Sequence, residues 1–428
     1  MRNLLFSLFV LGFCNIGFSQ QYTPEELFEE GQYFLLREDY KEALYFFRQL
    51  TEIYPENANY NFKAGQCYLN IPGQEYLGVE YLENAVKSIV PKKEYKSRSS
   101  SEQNAPLHAQ FYLGNAYRAA GNLYQALDYY NKFLDSPFFE GNYNRNVVEQ
   151  EIKSCERAKI IQDAPIEMEV TALDSNINTS YSESSPVLSA DGETMVFIRG
   201  LKFYDAIFIA HKTDKGWSSP ENINEQIVSD GDLYPTGLNS DGTIMLLTKE
   251  INGNANIFIS YFNGEKWSQA KELPGKVNTL YAETFASFGA DNETIFVVSD
   301  RSSTHGGTDI YLSKLNSKNE WSKPKNLGKS INTEFDESFP ILCNSGKTLF
   351  FSSKGHYNMG GFDIFYSSRN EKSWLTPRNI GYPLNTTRDD VFYMVLQDCS
   401  SGLHAIIDKV SGFSDIFEIE VKSELAIP

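Results

Sequence analysis

Four tryptophans, Trp217, Trp267, Trp321 and Trp374, recur at separations of 50, 54 and 53 residues, and this spacing limits the fold more than any other feature of the chain. Their settings are alike: GWSSPENIN, KWSQAKELPGKVN, EWSKPKNLGKSIN and SWLTPRNIGYPLN. Upstream of each, a strand segment opens at Asp205, Asn256, Asp309 or Asp363, and a fifth copy opens at Asp415. Further upstream, Glu183, Asp232, Glu283, Glu337 and Asp390 each precede an apolar run, a turn such as Asp191-Gly192 or Asp241-Gly242, and a second apolar run. Each of the five units therefore reads as four short antiparallel strands.

A four-stranded sheet of this kind cannot bury both faces alone, and radial stacking into a propeller is the usual solution. The fifth unit ends near Val421 without its tryptophan strand, whereas EVTALDSNINT at residues 169–179 parallels KNLGKSINT at 325–333. An N-terminal strand that completes the last blade would close the ring and leave no open edge. The expectation is five blades over residues 166–422; six would need an additional, degenerate blade.

Residues 20–162 carry a different period, near 34 residues, with small residues at fixed places. Leu27, Gly31, Phe34, Ala43, Phe47 and Pro55 make one unit, and Leu113, Gly114, Tyr117, Ala126, Tyr130 and Phe133 another in the same frame. A looser middle unit keeps Gly65, Tyr68, Leu82 and Ala85. Residues 91–105, polar and serine-rich, read as a mobile loop, and 147–161 as a closing helix over the last exposed face. The fold class is thus an α-helical array followed by a β-propeller.

The helical units resemble tetratricopeptide repeats, and that resemblance implies a concave groove lined by the first helix of each unit. Carried over residue by residue, it places Phe28, Phe62 and Phe111 beside Gln32, Gln66 and Asn115. An aromatic ladder next to an amide ladder would grip an extended peptide. The alternative is that the three rings only pack between neighbouring helices.

The first 19 residues combine one cation, an apolar stretch over residues 4–13 and small residues before Gln20, the pattern of a secretory leader cut after Ser19. A lipid anchor on Cys14 is disfavoured because Phe13 stands where such sites want a small residue. No later segment is long and apolar enough to span a bilayer, so any membrane attachment is peripheral. The charge, 38 cations against 56 anions and hence −18, opposes binding to nucleic acid. Cys67, Cys155, Cys343 and Cys399 are scattered, match no zinc spacing and read as free thiols in packed positions.

SPVLSADGETMVFIRG, VVSDR and the GGTDIY and GGFDIF segments resemble the TolB-type variant of WD-like propeller repeats. The recurrence of Asp205, Asp309, Asp363 and Asp415 once per blade marks them as structural. His305 and His356 lie in corresponding loops of adjacent blades, too few ligands for a metal site. No nucleophile elbow, metalloprotease, Walker or dinucleotide motif occurs in a credible setting, so no catalytic residue, cofactor or metal is expected. Leader, tetratricopeptide units and propeller together resemble the N-terminal portion of OmpA-family envelope proteins of Bacteroidota, including those associated with type IX secretion. The peptidoglycan-binding OmpA-like domain is not expected after Val421. The resemblance implies an exported, non-catalytic scaffold of the periplasm or outer membrane whose partners are other envelope proteins. A receptor for glycan or peptidoglycan fragments is the alternative, and exposed Tyr and Trp on one rim would favour it.

Overall fold

The computed structural model describes residues 22–371, 373–408 and 411–423. The expected leader and Cys14 lie outside the described residues. Seven α-helices precede the first propeller strand among these: α1 (Pro24–Leu35), α2 (Tyr40–Ile53), α3 (Ala58–Leu69), α4 (Gly78–Ala85), α5 (Ala109–Ala119), α6 (Leu123–Leu134) and α7 (Arg145–Gln162). Thr23 and Glu26 form a capping box at the start of α1, with Pro24 in the first turn where its missing N–H costs nothing. Helices pack in consecutive pairs through the small residues of the repeat. A Cβ on Gly31 would come 3.0 Å from the Phe47 ring, and one on Gly114 would come 2.4 Å from the Tyr130 ring. Phe47 and Tyr130, both fully buried, fill the space the glycines leave, each contributing roughly 1.5–3 kcal/mol of apolar burial.

The loop at residues 91–105 is not the solvated spacer its composition implies. The Glu102 carboxylate, buried, accepts the backbone N–H groups of Lys96, Gln103 and Asn104 at 2.9–3.0 Å. Tyr60 donates to the Ser100 carbonyl at 2.7 Å and Tyr95 to Asn59 at 2.6 Å, which lays the loop across α3. One carboxylate that gathers several orphan amides organises a polar segment that has no apolar face to bury.

Beyond α7 the chain forms five antiparallel blades. The third illustrates the plan: Glu283–Phe288, Thr294–Ser299, Asp309–Lys314 and Lys325–Asn326. In the first, both Gly216–Trp217 and Glu221–Asn222 pair with Asp205–Thr213. The fifth consists of Met394–Val395, Ser401–Ile407 and Ser414–Val421, completed by Met168–Ala172 from the N-terminal side of the ring. The ring closes as the parallel between residues 169–179 and 325–333 requires, although only Met168–Ala172 of that stretch is strand.

Each blade carries one polar clasp, and four of the five carry a second, which the blade with Val228 and Asp232 lacks. An asparagine near the end of the outer segment accepts from the third strand: Asn224 from Ile207 N, Asn278 from Ile257 N, Asn332 from Ile310 N and Asn385 from Ile364 N, all at 2.7–2.8 Å. For the fifth blade this residue is Asn178, reaching Ile416 from the other end of the ring. A carboxylate at the start of the first strand accepts from a threonine four residues earlier, as Glu283 does from Thr279 and Glu337 from Thr333. The four tryptophans are buried.

The expectation of free thiols fails for two of the four cysteines. Cys343 and Cys399 form a disulfide with Cα atoms 5.5 Å apart, whereas Cys67 and Cys155 are free and buried. Their separation of 56 residues is close to one blade period, so the two stand side by side in adjacent blades.

Candidate functional site

The first strands of the blades begin on one face of the ring and end on the other, and the helical array sits on the face where they begin. Helix α7 docks there: Gln150 Nε2 donates to Lys354 O at 3.0 Å, Ser154 Oγ to Gly360 O at 2.7 Å and Arg157 Nη1 to His356 O at 3.0 Å. Met359, fully buried, belongs to the apolar core of the helices although it comes from a propeller loop. From α5, Arg118 donates through Nη1 to Thr387 O at 2.5 Å, and its Nε lies 3.0 Å from a Glu151 carboxylate oxygen of α7. Burial pushes the Glu151 carboxyl up, the Arg118 guanidinium beside it opposing that shift.

Between the two modules lies a cleft of about 450 Å³. Phe111, Tyr112 and Asn115 of α5 form its helical wall, and Phe335, Arg388 and Asp389 stand on the propeller wall. Phe111 is half-buried against Tyr130 and Phe133, and Asn115 accepts from Tyr130 Oη at 2.8 Å. Glu75, in the turn before α4, also lines the cleft; one carboxylate oxygen accepts from Gly73 N at 3.0 Å.

The structure divides the six groove residues. Phe111 and Asn115 come together in the cleft. Phe28 and Phe62 are 2% and 3% exposed and pack between helices, Phe28 against Phe47 and Tyr60, Phe62 against Tyr112 and His108. For these two rings the packing alternative describes the contacts. Gln32 accepts from Lys63 Nζ at 2.7 Å, and that ammonium sits over the Phe28 and Phe47 rings, its pKa lowered to about 8 by burial. Gln66 is half-buried on α3 and its backbone carbonyl accepts from Asn70.

Arg118, Glu75, Phe335 and Arg388 escaped the sequence reading. For Phe335 a signal existed: it stands two residues after the clasp threonine Thr333, where Tyr181 and Tyr281 follow Thr179 and Thr279. The last two are 45% and 42% exposed on the same face, near Phe203 at 85% and Leu280 at 90%.

On the opposite face, the ends of the first strands surround an apolar funnel of about 250 Å³. Its carboxylates, Asp191 and Asp398, accept from backbone amides of their own turns. Toward the helical face the axis is filled by Phe285, Phe339 and Phe392, whose ring centroids lie 5.1, 5.6 and 6.1 Å apart. The once-per-blade aspartates build loops: Asp309 accepts from His305 N and Asn326 Nδ2, and Asp363 from Met359 N and Asn379 Nδ2. Among the described residues no cluster of three or more His, Cys, Asp or Glu could hold a metal ion, and no helix is long and apolar enough to cross a membrane.

The tetratricopeptide repeat family model matches residues 108–136, which span α5 and α6. No curated protein matches the chain. Similar solved structures include TolB from Acinetobacter baumannii, 16% identical over 67% of this chain and 72% of that one, with a TM-score of 0.36. A second, described as a putative TolB from Agrobacterium tumefaciens, is 13% identical over 60% of this chain and 91% of that one, TM-score 0.36. An α-L-arabinofuranosidase from Lactobacillus brevis is 10% identical over 62% and 95%, TM-score 0.35. Likeness at this level carries no argument about activity.

Proposed function

We propose that this chain is a non-catalytic protein-protein interaction scaffold, exported to the periplasm or outer membrane and accessory to envelope or type IX secretion machinery. The observation that carries the reading is the cleft whose walls come from both modules, Phe111 and Asn115 on one side and Phe335 and Arg388 on the other. A tetratricopeptide helix lining a concave surface suits an extended protein segment, and the match over residues 108–136 falls on this wall. The leader pattern of residues 1–19 supports export, as does the Cys343–Cys399 disulfide, a bond that persists in oxidising compartments. The funnel's carboxylates, Asp191 and Asp398, are engaged by backbone amides of their own turns, which supports binding over turnover on that face.

Site-specific photo-crosslinking in intact cells tests the reading. A crosslinker in place of Asn115 should trap an envelope protein that the same crosslinker at Gln397, on the opposite face, does not. Equal adducts from both positions, or none from position 115, would overturn it.

A glycan receptor is the second reading, favoured by the exposed Tyr181, Phe203, Tyr204 and Tyr281 on the uncovered part of the rim. Aromatic faces with a polar edge suit sugar rings. Binding of peptidoglycan fragments that is lost in Tyr281→Ala and kept in Asn115→Ala would select it.

A further inference from the structure

Charge in the cleft is unevenly matched. Arg118 is paired with Glu151, and Lys354 with Asp336 at 3.0 Å. That leaves Glu75, Glu334 and Asp389 on the walls with Arg388 as the remaining cation. Glu334 receives Asn146 Nδ2 and Asp389 receives Phe362 N, so each has a protein donor. Glu75 differs. Its Oε1 is fixed by Gly73 N, and its Oε2 is buried with no hydrogen-bond donor. A carboxylate oxygen that is shielded from solvent, held in orientation and left without a donor lacks most of the stabilisation its charge requires.

We infer that the cleft recognises a cationic side chain, lysine or arginine, of the bound protein segment, with Glu75 as its acceptor and the Phe111 and Phe335 rings flanking the aliphatic stem. The inference rests on the scaffold reading and specifies the partner's chemistry. A long basic side chain buries its methylene stem on apolar walls while its head reaches a charged acceptor, and the hydrogen bond so formed is charge-assisted. Arg118 and Lys354 are paired already, and Arg388, whose charge acts on Glu75 itself, is the one cation left against three carboxylates, so the cleft favours a basic over an acidic side chain. The chain's net charge of −18 draws the same class of partner at longer range.

The test uses the whole chain and capped, tyrosine-flanked peptides that differ at one central position: lysine, arginine, glutamine or glutamate. Titration calorimetry should show the lysine and arginine peptides binding about tenfold more tightly than the glutamine peptide. Glu75→Gln should erase that preference, and Glu193→Gln, an exposed carboxylate outside the cleft, should retain it. Thermal unfolding of each variant confirms that the fold is intact. A glutamine peptide that matches the lysine peptide, or a preference that survives Glu75→Gln, overturns the inference. If all peptides bind alike and all weaken in Asn115→Ala, only the charge preference falls and the scaffold reading stands. Absence of binding, or binding indifferent to Asn115→Ala, removes the cleft reading as well.

Discussion

Asn178 and Ile416, 238 residues apart, hold each other by a reciprocal pair of hydrogen bonds: Ile416 N donates to Asn178 Oδ1 at 2.8 Å, and Asn178 Nδ2 donates to Ile416 O at 2.9 Å. The same pair exists inside blade three between Asn332 and Ile310, but there it joins neighbours, whereas Asn178 joins the two ends of the ring. Asn178→Ala leaves both backbone groups of Ile416 without that partner and should cost about 1–3 kcal/mol. All four tryptophans lie in the propeller, so their fluorescence during urea unfolding reports this domain. An unchanged midpoint would mean that strand Met168–Ala172 locks the ring without the asparagine.

Arg118 ties three elements together, α5, α7 and the loop that carries Thr387. Arg118→Ala removes the counter-charge of buried Glu151 and should weaken the docking of the helices on the propeller by about 3–5 kcal/mol. Limited proteolysis of the connection at residues 163–167 should quicken accordingly. Combining Arg118→Met with Glu151→Leu should restore most of the resistance, because an apolar pair carries no unpaired charge.

Breaking the Cys343–Cys399 bond should lower propeller stability by about 2–4 kcal/mol. Denaturation without reductant should expose Cys67 and Cys155 to alkylation and leave the peptide that carries Cys343 unlabelled. Labelling of Cys343 under those conditions would contradict the pairing.

Protonation should shape stability near neutrality. Burial raises Glu337 and Asp363 to about 7, and raises Asp390 as well. Folded, these carboxyls keep protons that the unfolded chain has released, so unfolding releases protons and stability falls as pH rises through the folded values. Half-buried His108, lowered to about 4 by desolvation, and His356 and His404, also lowered, act in the opposite sense below their unfolded value near 6.5. The net fall should therefore be centred between about pH 6.5, where the unfolded histidines have lost their protons, and about 7, where Glu337 and Asp363 titrate, with a flatter profile on either side. Urea midpoints across that range check the sign.

What was legible in the sequence was what repeats. The tryptophan period, the kinship of residues 169–179 with 325–333 and the glycine-to-aromatic pairing of Gly31 with Phe47 all recur, and recurrence made blades, closure and helix pairs readable. Of the six residues the repeat frame assigns to a groove, Phe111 and Asn115 line the cleft. The unrepeated features were not. Arg118, Gln150, Ser154 and Arg157 match loops 199 to 269 residues downstream, a complementarity with no period. Phe28 and Phe62 share a frame with Phe111, yet neighbouring helices enclose them and leave the third ring half-open. The disulfide was hidden for a different reason: its spacing resembles no zinc or small-domain pattern, and it acquires meaning only once the blade period is laid over it.

Phe285, Phe339 and Phe392 pack edge to face and join the last three blades on the helical side of the funnel. A change at any one of the three rings is therefore felt in the blades that carry the other two.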